Sequence, residues 1–548
     1  MFKKFLKINR FTLATYSLFG FLFWHFGKEM LQVKQNGWYV GHINLWGDLL
    51  LHLSFINKFL VSGQILPTSP IFPDTKPNYP IFADFATALV ARFTGIDFAL
   101  FLVTFITGIL LIYISRIFIK TFIRNEAVIF LALLLFFANG GLGFYYFLQD
   151  YFTSGESIFA FLSHIPREYT NIKDQGFWWI NNYLAYFLPQ RGLLFAFPIT
   201  LLVFSLLYMG FKKGERRYFI LAALLSGSLT LVQAHSLFVI FQVCAIASIF
   251  MMVKSKFDKR IITNWLVFAA VTTAVALPLF NSISSSMSAL SHIRFDPGWT
   301  SQENIIWFWF KNLGIFAPVL VVAIFWLFKK NRLLFLLYLP FLMIFFFSNI
   351  FVFQPWDFDN GKLLIYWHFA SAIVVAYFLI DQFFHESAAR GIAGIFIVLS
   401  MTLSGALDIF RTFTPVTNYQ IFTTLDLEVA KSVMNLTHEN AIFVTASNHN
   451  HPIPALTGRS TLVGFHGWLW SHGLPYEGRA ADVTKIYLGD KEAQELIAKY
   501  KVSYVTVGPS EKATFNINIS YLEKFPTIYL DADWQIYDVT HLWANSNR

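Results

Sequence analysis

The sequence predicts a polytopic α-helical membrane protein with a water-soluble α/β domain at its C-terminal end. Three observations predict it. Hydrophobic residues fill 56% of the 548 positions and charged residues only 13%, a usage that soluble globular chains do not show. Uncharged runs such as LLFLLYLPFLMIFFFSNIFV at 333–352 reach the roughly 20 residues that a bilayer crossing needs. From residue 426 onward the apolar runs give way to alternating helix and strand patterns.

The first apolar run, FTLATYSLFGFLFWHF, follows MFKKFLKINR without a small-residue cleavage site, which predicts an uncleaved first span. The long first outer loop, 28–96, is expected to hold two helices lying along the membrane, at 47–62 and 79–95. The linker between them, PTSPIFPDTKPNYP, is fixed in extended and turn backbone by its prolines. Spans are expected at 97–118, 127–148 and 185–210. Two short spans then meet at the polar break Val232–Ser236, followed by spans at 262–280, 303–328, 333–352, 363–382 and 391–408. With these, the basic clusters at Lys3–Arg10, Arg116–Arg124, Lys212–Arg217, Lys254–Arg260 and Lys329–Arg332 all fall on one side. The positive-inside rule makes that side cytoplasmic, giving about eleven spans in a cell (plasma or inner) membrane, N-terminus inside and C-terminal domain outside.

The net charge of +9 is therefore a topology signal, and membrane lipids rather than nucleic acid are the expected contacts. The single cysteine, Cys244, lies in an apolar run, so no intrachain disulfide forms and redox compartment is not readable. Residues 1–408 are expected to form the transmembrane domain and 409–548 the outer one. In the latter DLEVAKSVMNLT and KEAQELIAKY read as helices, and AIFVTA, SYVTVG, TIYLDA and WQIYDV as strands. No glycine-rich nucleotide fingerprint and no fixed-period repeat is present.

Polar residues interrupt the apolar sequence mainly on the outer side, where ionisable groups near hydrocarbon usually line a cavity or substrate path. WGDLLLHLSF places Asp48 and His52 one helical turn apart on one face, and Asp84 follows. The second outer loop carries Asp150, Arg167, Glu168 and Asp174, and LPQRG brings Arg191 to the start of the next span. Gln233 and His235 mark the third break, Arg294 and Asp296 the fourth loop, and QPWDFDNGK supplies Asp357, Asp359 and Lys362. Each has a plainer reading. Asp48 can cap the helix that follows it, His52 can be packed, Arg191 and Lys362 can snorkel to headgroups, and Asp357 and Asp359 can favour a helix start. His449, His451, His466 and His472 suit either a zinc site or, with Trp468 and Trp470, the membrane interface and a sugar face.

The order of features resembles the GT-C superfamily of integral membrane glycosyltransferases: a short cytoplasmic N-terminus, one span, a long outer loop with an acid before a membrane-lying helix, many spans, and an outer α/β domain. Asp48 in NLWGDLLLHLSF matches the family's first-loop acid, and YPIFADFATALVARFTG is similar to the helix that follows it in relatives of protein mannosyltransferases. LPQRGLLFAFP, QPWDFDNGKLLIYW and HPIPALTGRSTLVGFHGWLWSHGLPYEGRAADV look similar to bacterial members. Many relatives carry two adjacent acids in this loop, whereas Asp48 stands alone. The resemblance implies transfer of a sugar from a polyprenyl-phosphate donor to an acceptor on the outer side. Asp48 would be the general base of an inverting displacement. Arg191 and Lys362 would hold the donor phosphate, with His235, Glu168, Asp84 and Arg167 also contacting substrate, and with a divalent cation, Mg or Mn, as a charge clamp. Two other classes stay open: a transporter or flippase using the break at 232–236, and a scaffold that tolerates loss of Asp48 and Arg191.

Overall fold

The computed structural model describes residues 9–284, 293–298, 301–384 and 387–544. By internal contacts the chain divides into two compact units, one of Met1–Glu29, Thr104–Pro278 and Ala289–Asn418, the other of Met30–Val103, Leu279–Ser288 and Tyr419–Arg548.

The first unit is a bundle of apolar helices. Among the described residues, seven helical segments are long and apolar enough to cross a membrane: Ile96–Phe122, Arg191–Lys213, Ala234–Lys254, Lys259–Ile283, Arg332–Ile350, Asp357–Gln382 and Ala388–Arg411. Ile305–Leu313 and Phe316–Lys330, bent by 94° where one expected span lies, bring the count to eight if they form one crossing. Lys212, Lys213, Lys254, Lys329 and Lys330 stand in last helical turns, where cations complement the helix dipole.

Three expected spans fall on helices below this measure. Arg10–Glu29 is helical over the first of them. Arg216–Val232 has 17 residues and stops at Gln233, whose backbone is extended (φ −169°, ψ 117°), before Ala234–Lys254 begins. The expected 127–148 span is not one helix: Glu126–Phe137 ends after 12 residues and Phe144–Ser154 starts separately. The break lies at Asn139-Gly140-Gly141 for a steric reason. A Cβ on Gly140 would stand 2.6 Å from the Gly405 nitrogen, and one on Gly141 would stand 2.2 Å from the Lys311 carbonyl oxygen. The glycines admit neighbouring backbone where side chains would collide.

The helix Gly361–Gln382 is central. It packs on Glu126–Phe137, Arg332–Ile350 and Phe316–Lys330, and 83% of its segment is buried, against 17% for Lys259–Ile283. Leu266 and Leu277 of the latter are exposed, as lipid-facing residues are.

The second unit is α/β. Its five-stranded sheet has the order Ser460–Thr461, Ile442–Val444, Tyr504–Val507, Gln535–Asp538, Thr527–Leu530. The first three strands are parallel and the last two antiparallel. Val429, Val433, Phe443, Ile453, Trp534 and Ile536 form its core. The helix Thr424–Leu436 begins with a capping box between Thr423 and Asp426, which satisfies two otherwise orphaned N–H groups. A smaller antiparallel sheet joins Gln32–Lys34, Gly37–Val40 and Tyr419–Thr423.

The first-loop helix Ile43–Ser62 belongs to this second unit and packs on Pro452–Thr457. Asn57 Nδ2 donates to the Ala455 carbonyl at 2.8 Å. Gly458, at φ +68°, approaches so closely that a Cβ there would lie 2.6 Å from the Asn57 oxygen. The proline-rich linker is strapped to the sheet edge: Thr461 N donates to Pro70 O at 2.9 Å and Gly464 N to Ile71 O at 2.8 Å. The Arg479 guanidinium lies 4.1 Å from the Phe72 ring and donates to Pro73 O. The linker thereby covers an edge that would otherwise present unpaired backbone groups. The helix Phe82–Thr94 has 13 residues, too few to cross a bilayer.

Candidate anion-binding site

Two cations of the first unit stand where helix physics disfavours them. Arg191 is the first residue of Arg191–Lys213 and Lys362 the second of Gly361–Gln382. A helix N-terminus carries partial positive charge and exposed N–H donors, which favour an anion. Both residues are nonetheless buried, at 3% and 9% exposure. Lys362 Nζ meets Asp359 Oδ2 at 2.9 Å, so a carboxylate accompanies this cation at its helix start.

Local sequence holds these groups in place. Asn360 Nδ2 donates to the carbonyls of Ser348 and Phe351, and its Oδ1 accepts from Phe353 N, clipping the turn before Lys362. Gly361 lies against Tyr186, where a Cβ would come within 1.8 Å of the phenol oxygen. Gly192, next to Arg191, abuts the break at Val232, whose carbonyl oxygen a Cβ would approach to 2.5 Å. Within the break Ser236 Oγ donates to Gln233 Oε1 at 2.5 Å and is hydrogen-bonded to Tyr366 Oη at 2.6 Å. Tyr366 lies one helical turn beyond Lys362. Lys362, Asp359 and Gln354 are polar neighbours of His235. Within one unit the break at 232–236 thus touches both helix starts, through the backbone of Gly192 on one side and the Ser236–Tyr366 hydrogen bond on the other. Arg294 pairs with Asp357 at the rim and donates to the Gln354 carbonyl.

Arg167 and Glu168 occupy a different polar island. Arg167 makes two parallel hydrogen bonds to Asp150, at 2.8 and 2.6 Å, the bidentate geometry that suits guanidinium to carboxylate. That hydrogen bond, the largest influence, raises the arginine pKa further. Beside it Asp408, buried, accepts from Tyr169 N at 2.5 Å, Thr170 N at 2.8 Å and Thr170 Oγ1 at 2.6 Å. Glu168 is buried and accepts from Asn171 Nδ2 at 3.3 Å. Asp408 was not singled out from the sequence because it closes an apolar run, where nothing local distinguishes it. Tyr186 and Tyr366 were missed because each stands inside an apolar stretch, whereas Ser236 belongs to the polar break already read from the sequence.

Asp48, His52 and Asp84 lie in the second unit. The helix starts at Ile43 with His42 as its cap, four residues before the expected start, so Asp48 sits beyond its first turn and does not cap it. Asp48 is half-buried. His52 Nδ1 meets Asp84 Oδ1 at 2.8 Å with both residues buried, which makes His52 a packed histidine and Asp84 its partner. The four C-terminal histidines go to separate neighbours. His449 meets the Trp46 ring edge-on, His451 bonds Glu511 at 2.9 Å, His466 stacks on Tyr476 and His472 on Tyr79. Among the described residues no three His, Cys, Asp or Glu side chains gather as a metal site.

No family model and no curated protein matches the chain. Among solved structures it is similar to the Archaeoglobus fulgidus oligosaccharyltransferase tethered with an acceptor peptide containing the NVT sequon. That likeness has a TM-score of 0.54 at 11% identity, over 90% of this chain and 69% of the other. It is also similar to ArnT from Cupriavidus metallidurans. With undecaprenyl phosphate bound, that protein gives a TM-score of 0.50 at 10% identity over 97% and 99% of the two chains. In the apo state the values are 0.52 and 10%, over 97% and 98%. The chain has the fold of these two proteins.

Proposed function

We propose that this protein transfers a sugar from a polyprenyl-phosphate donor to an acceptor on the outer side of a cell membrane, with inversion at the anomeric carbon. The observation that carries the reading is the placement of Arg191 and Lys362, buried at the starts of two long helices. The fold supports it, since one solved structure of that fold binds undecaprenyl phosphate.

In the proposed reaction the Asp48 carboxylate takes the proton of the acceptor hydroxyl as its oxygen attacks the anomeric carbon. The bond from that carbon to the phosphate oxygen breaks, and the polyprenyl phosphate leaves with an added negative charge. Arg191, Lys362 and the N–H groups of their helix starts stabilise that charge where it develops. Asp359 moderates Lys362, and His235 shapes the pocket. Asp84 acts through His52 to fix the helix face that carries Asp48. Arg167 and Glu168 hold the outer loop rather than the reacting atoms. One carboxylate base and no nucleophile pair means one displacement and inversion. The functional division is residues 1–408 for donor binding and 409–548 for the outer domain, with the N-terminus cytoplasmic.

The test is transfer by purified protein in lipid from a panel of radiolabelled polyprenyl-phosphate sugars to cell-envelope acceptors, comparing native protein with Asp48→Asn. The reading expects transfer by the native protein and its loss in the folded variant. Transfer that survives moves the base elsewhere. Movement of a lipid-linked sugar across the bilayer without transfer favours the transporter reading.

A further inference from the structure

The second unit contains a cavity of about 510 Å³ that no step of the proposed reaction uses. Its size falls within the range of roughly 300–1,000 Å³ typical of small-molecule sites. Its position in the sheet is the one that binds ligands in open α/β sheets, outside the carboxyl ends of parallel strands at a topological switch point. From the middle strand Ile442–Val444 the chain passes to Ser460–Thr461 on one side and then to Tyr504–Val507 on the other. Thr445 and Ser447 follow the first strand, Val463 and His466 the second, and Phe515 and Asn516 come after the third, all lining the cavity.

The walls are built. Glu511, fully buried, accepts from Ala446 N at 2.7 Å, from Gly508 N at 2.8 Å and meets His451 Nε2 at 2.9 Å, fixing the loops after two strands. Ser447 Oγ accepts from His466 N at 3.0 Å, tying the second loop to the first. Tyr487 stacks on Phe515 at 4.5 Å and donates to the carbonyls of Val444 and Thr506.

The chemistry of the lining selects a class of ligand. Among the described residues no Lys, Arg, Asp or Glu lines the cavity, so nothing there compensates a phosphate, a carboxylate or an ammonium group taken out of water. Hydroxyl, amide and imidazole groups of Ser447, Thr484, Asn516 and His466 share the wall with apolar Val463, Leu488 and Phe515. A sugar ring presents both kinds of surface, equatorial hydroxyls at its rim and C–H groups on its faces. Burial holds the His466 pKa below its usual value, against the opposing charge of Glu477, so the imidazole is neutral at pH 7 and offers one donor and one acceptor.

We propose that this cavity is a binding site for an uncharged mono- or disaccharide unit, independent of the donor-phosphate site. The test is saturation-transfer NMR on the full-length protein in lipid nanodiscs. The probes are glucose, mannose, galactose, N-acetylglucosamine and lactose, with glucose 6-phosphate, glucuronate and a neutral tripeptide as controls. Thr484→Trp plugs the mouth from an exposed helical position, and Asn516→Ala removes one polar contact without adding bulk. The expected result is transfer to at least one neutral sugar, reduced at least fivefold by Thr484→Trp and at least twofold by Asn516→Ala, with an unchanged melting temperature. Signals equal in both variants and the native protein overturn the proposal, as do a preference for the charged sugars or the peptide and silence from every neutral sugar.

Discussion

Two polar islands interrupt the apolar bundle of the first unit, and they differ in how their charges are matched. In one island Arg167 is met by Asp150 through two hydrogen bonds, and Asp408 is met by three donors. At the helix starts, Arg191 and Lys362 stand at the positive end of helix dipoles, with Asp359 pairing Lys362. The first arrangement is closed and holds a loop. The second sets two buried cations at the positive ends of helix dipoles, a placement that raises the local positive potential.

Substitutions sharpen this contrast. The largest effect is expected at the helix starts: Arg191→Ala or Lys362→Ala should lower sugar transfer by about 10²–10³, the scale of losing one preorganised charge-stabilising group, with little change in melting temperature. Asp408→Ala should do the reverse. It strips the acceptor from three buried donors at about 1–3 kcal/mol each, so thermal unfolding of the purified protein in lipid should occur many degrees lower. Arg167→Ala should be milder, because its side chain is 38% exposed and such pairs contribute roughly 0–1 kcal/mol. Transfer should stay within about twofold, and a hundredfold loss would place Arg167 with the donor phosphate instead.

The smallest effect is one of pH in the second unit. Burial pushes the Glu511 pKa up, but the His451 charge and hydrogen bond and the N–H groups of Ala446 and Gly508 outweigh it, leaving the pKa below its ordinary 4.5. A carboxylate held low in the folded state contributes stability that is complete above the ordinary value and lost as pH falls through the folded one. Melting curves should therefore show no contribution from this group to any change between pH 7 and 5 and a drop below about pH 4.5. Glu511→Gln should lack that part of the drop.

Much of the helical architecture was legible because a bilayer crossing writes itself as an apolar run with basic ends. The broken span at Asn139–Gly141 was not, since its cause is the approach of Gly405 and Lys311 from distant sequence. The linker Pro67–Pro80 reads as extended and turn backbone, but its partners Thr461, Gly464 and Arg479 are hundreds of positions away and leave no local signal. Within the candidate site, Arg191, His235 and Lys362 stood out as polar residues in apolar context. Tyr186 and Tyr366, whose hydroxyls border them, did not. The pairing of His52 with Asp84 across 32 positions also carried no local signal, because contact between two helices is set by their packing.

The most direct measurement of the central claim is the affinity of the purified protein for polyprenyl phosphate, by calorimetry in lipid nanodiscs, for native protein, Arg191→Ala, Lys362→Ala and Asp48→Asn. If the helix starts hold the donor phosphate, each of the two cation variants should bind at least about tenfold more weakly, the scale of one charge-assisted hydrogen bond, while Asp48→Asn binds as the native protein does. Equal affinity in all four proteins would contradict the account.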